Sequence, residues 1–342
     1  MDVNAPLQGR HSNTHGDPAV MFKACLVAGV LLSTAAIAGE TSGTRRPAVL
    51  TLGRVRALVV SPHPDDATLG AGGLIQRVLH EGGALRVVQM TGGDAFPKGV
   101  TAIKPGIRPT ADSYRWYGAL REHEAIRAMR QLGVHRSQIR LLGFPDEGLC
   151  VLASADRTGT TFASPYTRRE SPPGSEQIVR GTTYRGDDLV RELTHVIEAF
   201  RPTLVVLPYP GDEHPDHCAT HPLVHRALAD ALGAGLRPPR VLHYVIHYRE
   251  WPTAEKADAP LEPPSGMLAD PASWRTLDLT TAERTAKGHA LDAYRSQMLV
   301  MRDFMLAFER PNELFIESEP SRPIPCWCEG GKDIAAPASG IQ

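Results

Sequence analysis

Several scarcities frame this 342-residue chain. Aromatic residues make up only 6%, which gives little support to a base-stacking platform for single-stranded nucleic acid. Charge of one sign is not in excess: the formal net charge is -1, and no polybasic run is present. That argues against a nucleic-acid footprint and against attraction to an anionic membrane surface. Cysteine is sparse, with five in all. Cys326-Trp327-Cys328 lacks the second cysteine pair or nearby histidines that a structural zinc site requires. No internal repeat is present. What remains is ordinary globular composition, 42% hydrophobic and 22% charged.

The N-terminus has the layout of an export signal. Met21-Phe22-Lys23 carries a positive charge, Ala24 to Ile37 is uncharged and mostly apolar, and Ala36-Ile37-Ala38 fits the small-x-small cleavage rule before Gly39. The apolar run is shorter than the about 20 residues of a membrane span. The expectation is an N-terminal extension and cleaved signal over 1–38, no stable membrane span afterwards, and an exported protein, periplasmic or secreted. Met1 to Val20 is polar and irregular, which makes Met21 a candidate start. Loss of Cys25 with the signal leaves Cys150, Cys218, Cys326 and Cys328, an even set that permits two disulfides in an oxidising compartment. Cys326 and Cys328 are too close to bridge easily to each other.

Strand-like and helix-like runs then alternate. Ala57–Val60, Leu85–Met90, Ile139–Leu142, Thr203–Leu207 and Val241–Tyr248 read as strands. Ala67–His80, Tyr114–Leu132, Asp187–Phe200, Ala219–Leu232 and Thr281–Met301 read as helices. Leu314–Ile316 is expected as an edge strand. This alternation implies parallel pairing and right-handed crossovers. The fold class is α/β, a Rossmann-like three-layer α/β/α arrangement with a mostly parallel sheet and its site at the C-terminal ends of the strands. The domain is expected over 54–318, with 319–342 a tail outside the core. Phe144 to Gly186 reads as a loop of a length that is usually functional or disordered, and Trp251 to Pro271 as a Pro-rich loop.

Two short motifs carry the chemistry. Leu58-Val59-Val60-Ser61 runs into His63-Pro64-Asp65-Asp66, and Leu204-Val205-Val206-Leu207 precedes Asp212-Glu213-His214-Pro215-Asp216-His217. The first places His63 and Asp66, and the second His214 and His217, three residues apart around a proline that restricts the turn. Two histidines and one carboxylate suit Zn²⁺ and leave room for water; Fe²⁺, Co²⁺ or Mn²⁺ fit the same donors. A further carboxylate is available as general base and a further imidazole as oxyanion partner. A lone His-Pro-Asp is often a simple turn, but two of them after apolar strands of one sheet point to a metal-dependent hydrolase. His221 and His225 follow His217 at helical spacing and read as a solvated helix face. Gly70-Ala71-Gly72-Gly73 lies within a helical pattern, not in a strand-to-helix turn, and is a poor phosphate loop.

At these residues the chain resembles the PIG-L/LmbE-like family of zinc-dependent N-acetylglucosamine deacetylases. Weaker marks agree: Arg121-x-x-Glu124 before Leu132-Gly133-Val134, then Gly143-Phe144-Pro145-Asp146, and Ala290-Leu291-x-x-Tyr294-x-Ser296-Gln297. The resemblance implies His63, Asp66 and His217 as metal ligands, Asp65 as general base, and His214 as oxyanion stabiliser and acid, with Asp216 orienting it. It implies Arg121 and Asp146 as groups that hold sugar hydroxyls; a surface ion pair of Arg121 with Glu124 is the alternative. The family's first motif usually continues with Glu, whereas Ala67 stands here. With export, the expected substrate is an extracytoplasmic glycan, glycolipid or glycosylated metabolite bearing an N-acetylated amino sugar. The competing expectations are hydrolysis of a different or longer acyl amide, and a catalytically silent carbohydrate-binding protein.

Overall fold

A computed structural model describes residues 46–154, 159, 161–253, 258–319 and 324–328. The expected signal and most of the 319–342 tail lie outside the described residues. Two units separate along the chain, Met1–Gly43 and Thr44–Gln342; the architecture below is that of the second. Among the described residues, no helix is long and apolar enough to cross a membrane.

The elements run β1 (Ala48–Val49), β2 (Arg56–Ser61), α1 (Asp66–His80), β3 (Ala84–Thr91), α2 (Pro97–Ile103), α3 (Ala111–Gln131), β4 (Ile139–Phe144), α4 (Leu149–Ala153), α5 (Gly186–Phe200), β5 (Leu204–Pro208), α6 (Pro215–Gly233), β6 (Arg240–Tyr244), β7 (Trp274–Asp278), α7 (Thr281–Asp292), α8 (Arg295–Leu306) and β8 (Asn312–Ser318). The strands form one sheet in the order β1-β7-β8-β6-β5-β2-β3-β4. All pairings are parallel except those of β8, which is antiparallel to β6 and to β7.

The strands are apolar on both faces because both faces are covered. Ala57 and Val59 of β2 enter one core with Val87, Leu204, Val206 and Tyr244, beneath α1, α3 and α7. Leu58 and Val60 enter the opposite core with Val88, Val205, Leu207 and residues of α4, α5 and α6. This alternation makes the three layers. Strand order reverses beside β2, which has β3 on one side and β5 on the other. Such a switch point opens a crevice beyond the strand ends, and the two His-Pro-Asp segments leave β2 and β5 there.

The glycine run in α1 serves packing. A Cβ at Gly70 would stand 2.5 Å from the Tyr244 ring, and one at Gly73 would stand 2.2 Å from Leu279. The helix is kinked at Ala71, whose φ is -143°, and the freed amides of Gly73 and Leu74 donate to the buried Glu313 carboxylate at 2.7 and 2.9 Å. Lys287 balances that charge, its Nζ 2.7 Å from Glu313 and 2.8 Å from Leu69 O.

Three expectations need correction. β8 is internal, seated between β6 and β7, and not an edge strand. The helix expected over Thr281–Met301 is two helices: the chain leaves helical hydrogen bonding around Ala293 and Tyr294, where the Tyr294 hydroxyl bonds Thr68 Oγ1 and Pro64 O. The tail is not wholly outside the core. Cys328 is bonded to Cys150 and Cys326 to Cys218, and Cys326 and Cys328 are buried against α4 and α6.

Candidate metal centre

The first motif is fixed from three sides. Ser61 Oγ donates to His63 O at 2.5 Å and accepts Ala67 N–H at 3.2 Å. Thr91 donates its hydroxyl and its amide to Pro62 O. Tyr294 donates to Pro64 O at 3.0 Å. The second motif opens α6. His214 is the N-cap, its Nδ1 accepting the Asp216 amide at 3.2 Å, and Pro215 takes the first helical position, where its missing N–H costs nothing.

These turns bring His63 Nδ1, Asp66 Oδ2 and His217 Nε2 to one point, each 3.1 Å from the other two. Ligands about 2.0–2.1 Å from a tetrahedral ion lie roughly 3.3 Å apart, so the three donors fit one divalent cation. The surroundings fit as well. Asp65, Asp66, Asp146, Asp212 and Asp216 are all buried, and Arg121 is the one arginine or lysine paired with any of them among the described residues. Burial by itself raises the Asp66 carboxyl, but His217 and His63 outweigh it and hold it well below the usual range. Burial by itself lowers His217, but Asp212 and Asp66 draw it up to about 9. The nest demands positive charge, which a divalent ion supplies. Other donor groupings nearby, His63/His214/His217, Asp66/His217/His247 and His63/Asp146/Asp216, share members with this set and belong to the same centre.

Each ligand imidazole has a carboxylate behind it. Asp212 Oδ2 lies 3.1 Å from His217 Nδ1; Asp212 also accepts the amides of His214, Ile246 and His247. Asp146 Oδ1 lies 3.1 Å and Asp216 Oδ2 3.6 Å from His63 Nε2. The carboxylates face these nitrogens off the line of an ideal hydrogen bond. Such partners orient metal-bound histidines and raise their basicity.

Asp65 stands at the N-cap position of α1 without a side-chain capping bond, and its carboxyl is raised chiefly by burial, with Arg121 pulling the other way. The Arg121 guanidinium donates to Asp65 Oδ1 at 3.0 Å and to Gly93 O at 2.6 Å. His214 is pushed well below its usual value by burial, then by His63, His217 and His247.

The structure gathers all eight residues singled out in the sequence but assigns three of them other contacts. The Asp216 side chain does not orient His214. It accepts the amides of Glu147 and Leu149 and faces His63; only its backbone touches His214. Arg121 turns its Nη atoms to Gly93 O and Asp65 and leaves Nε buried without a partner, and Asp146 accepts Ala95 N and Glu147 N and faces His63. The Arg121–Glu124 pair does not form either; Glu124 accepts the amide and hydroxyl of Ser296. His221 is buried, 1% exposed, with its ring tilted against His225 and near His243, so at His221 α6 is not solvated as expected.

Two residues were not assigned a role from sequence. Asp212 belongs to the second motif, and its position five residues before His217 was its only signal. His247 lies 4.9 Å from the His217 ring and 5.2 Å from the His214 ring, stacked on Phe304; nothing in its sequence neighbourhood marks it.

Residues 58–228, half of the chain, match the PIG-L family, described as GlcNAc-PI de-N-acetylase. The 1D-myo-inositol 2-acetamido-2-deoxy-alpha-D-glucopyranoside deacetylase of Tsukamurella paurometabola is 31% identical over 53% of this chain and 57% of its own length. The enzyme of the same name from Rhodococcus jostii is 30% identical over 72% of this chain and 82% of its own length. Among solved structures, the N,N'-diacetylchitobiose deacetylase of Pyrococcus horikoshii is 20% identical, over 78% of this chain and 85% of that one, with a TM-score of 0.48. The chain belongs to the PIG-L family.

Proposed function

We propose that this protein is a metal-dependent hydrolase that removes acetyl from an N-acetylated amino sugar. The observation that carries the reading is the His63–Asp66–His217 donor triangle with the buried Asp65 carboxylate beside it, in a chain of a de-N-acetylase family. Zn²⁺ suits the donor set best. When bound, the cation polarises the amide carbonyl and lowers the pKa of water.

The chain's own residues do the rest. Asp65 takes the proton of the attacking water as oxygen adds to the carbonyl carbon. Arg121 occupies its Oδ1 and holds the carboxylate in place, and burial makes it a better base than a solvated aspartate. His214 accepts an amide proton at Nδ1, so the neutral ring carries its own proton on Nε2. Its depressed pKa keeps it in that neutral form, a donor to the developing oxyanion. The C–N bond then breaks, the nitrogen leaves as the amine with the proton that Asp65 collected, and acetate remains.

The assay is acetate release by the zinc-loaded protein from N-acetylglucosamine mono-, di- and oligosaccharides and glycolipids. Asp65→Asn should keep metal and lose about 10²–10⁴-fold in kcat. A fully active Asp65→Asn would remove the base assignment; no release from any member, with zinc bound, would remove the deacetylase reading.

The setting proposed is extracytoplasmic, periplasmic or secreted. It is supported by the Met21–Ala38 pattern and by two disulfides among the four cysteines that signal cleavage would leave. N-terminal sequencing of the native protein should begin at Gly39; an uncleaved chain confined to the cytosol would refute this.

A further inference from the structure

The segment after β8 joins cysteines that the sequence keeps far apart. Cys326-Trp327-Cys328 has no second cysteine pair near it in sequence, which is why it does not read as a zinc site there. The fold supplies that pair. Cys150, the second residue of α4, meets Cys328 across 178 positions, and Cys218, in the first turn of α6, meets Cys326 across 108. The Cα atoms are 5.4 Å apart in each pair. The two pairs also converge on each other. The sulfurs of Cys218, Cys326 and Cys328 all lie within 4.8 Å of one another, and Cys150 is bonded to Cys328.

Four sulfurs in one place can be satisfied in two ways. In an oxidising compartment they pair as disulfides. In a reducing one they are four thiols around a space that suits one cation. A disulfide holds its sulfurs about 2.05 Å apart, whereas thiolates about 2.3 Å from a tetrahedral Zn²⁺ lie roughly 3.8 Å apart. Each sulfur of an opened pair therefore moves by only about 0.9 Å, a shift that side-chain rotation supplies. The cluster is enclosed: Cys218, Cys326 and Cys328 are buried and Cys150 half-buried, in the core with α4, α5 and α6. Cys328 N–H donates to Cys326 Sγ at 3.4 Å, the kind of bond that supports a metal-bound sulfur. Among the described residues, this grouping shares no member with those around the donor triangle, so two cations would not compete for ligands.

We infer that Cys150, Cys218, Cys326 and Cys328 form a second metal site, a four-thiolate centre for Zn²⁺ or a similarly soft cation, filled when the chain is reduced. The Cys-Trp-Cys segment then stays fastened to α4 and α6 in either redox state. Sulfur donors select against Mg²⁺ and Ca²⁺. The exchange balances. Each disulfide gains two electrons and two protons and becomes two thiols. A thiol reductant supplies them as two of its molecules join in a disulfide; a phosphine supplies them by taking the oxygen of one water. The four thiols release their protons as the cation binds.

Co²⁺ is the probe, because sulfur-to-cobalt charge transfer gives an intense absorption that imidazole and carboxylate donors do not. Metal-free protein is prepared in two forms, one oxidised and one kept reduced by a phosphine from lysis onward, and each is titrated with Co²⁺. The reduced form should take up about one Co²⁺ per chain more than the oxidised form, and the charge-transfer band should grow with it and be absent from the oxidised form. Added Zn²⁺ should abolish the band, since it displaces Co²⁺ from sulfur. In reduced Cys326→Ser, Cys328→Ser the extra equivalent should be lost. If the reduced chain unfolds without metal, Co²⁺ should restore its near-ultraviolet circular dichroism together with the band. Equal uptake by the two forms overturns the inference. So does extra uptake without the band, a band of undiminished strength in the double variant, or a reduced chain that Co²⁺ fails to refold.

Discussion

Reducing the two disulfides should destabilise the protein by an amount that the chain connectivity sets. Cys218–Cys326 closes a loop of 108 residues, and the chain-entropy relation assigns such a loop about 4.8 kcal/mol. Cys150–Cys328 has a sequence separation of 178, but it encloses the first bond. With that bond closed, the shortest path runs from Cys150 to Cys218, across the bridge, and on to Cys328. It is roughly 70 residues long, and closing it contributes about 4.4 kcal/mol more. The two together stabilise the fold by at most about 9 kcal/mol, comparable with the whole stability of a typical domain, about 5–15 kcal/mol. The assay is urea unfolding at pH 7, oxidised against reduced, with a phosphine reductant that spares bound zinc. The double variant Cys326→Ser, Cys328→Ser serves as the permanently open form. With a slope of about 3 kcal/mol per molar urea, the midpoint should fall by up to about 3 M, and the open variant should match the reduced wild type. Thiol titration showing all four cysteines free while the midpoint moves by less than about 0.3 M would refute the reasoning.

Other expectations concern single residues. Asp212→Asn should weaken zinc binding by about 10–100-fold in a chelator competition, because it removes the carboxylate behind His217; an unaltered affinity would exclude that support. Acid should destabilise the fold through buried histidines. Burial, with neighbouring histidines, lowers His221 to about 2 and His243 to about 3, against about 6.5 unfolded. The unfolded chain therefore binds these protons first, so stability present above about pH 6.5 is lost as pH falls, at about 1.4 kcal/mol per pH unit for each. Urea midpoints between pH 7 and pH 5 should fall more steeply in wild type than in His221→Gln, and equal slopes would show that His221 is not held neutral.

The central fold is legible in the sequence because β2, β3, β4, β5 and β6 are short apolar runs with helical spacing between them. Burial on both faces produces that pattern. β7 was missed since Trp274-Arg275-Thr276-Leu277-Asp278 mixes polar and apolar residues after a proline-rich stretch, with only Trp274 and Leu277 buried. β8 looked peripheral because sequence order places it last; its central seat comes from antiparallel insertion, which no local pattern encodes. That the two His-Pro-Asp segments meet was readable from their places after apolar strands; which donors converge, His63, Asp66 and His217, came from the family resemblance. The contacts of Asp216, Arg121 and Asp146 were not readable, because which way a buried polar side chain turns depends on amides and charges distant in sequence. Asp216 reaches back to Glu147 and Leu149, across 69 and 67 positions, and Arg121 reaches Asp65 across 56.

The place of β8 also bears on how the molecule is made. Among the described residues, the last strand in chain order is the one that β6 and β7 both require as neighbour, and β1 is attached only through β7. During synthesis the sheet can grow from β4 to β6 and no farther until Asn312–Ser318 emerges. That strand also delivers Glu313 to the kink in α1, across 240 residues to Gly73, in the helix that begins with Asp66 of the donor triangle. Contacts of such range are late and slow to form. The nascent chain thus carries its two His-Pro-Asp segments long before the kinked α1 beside them gains its last partner, β8.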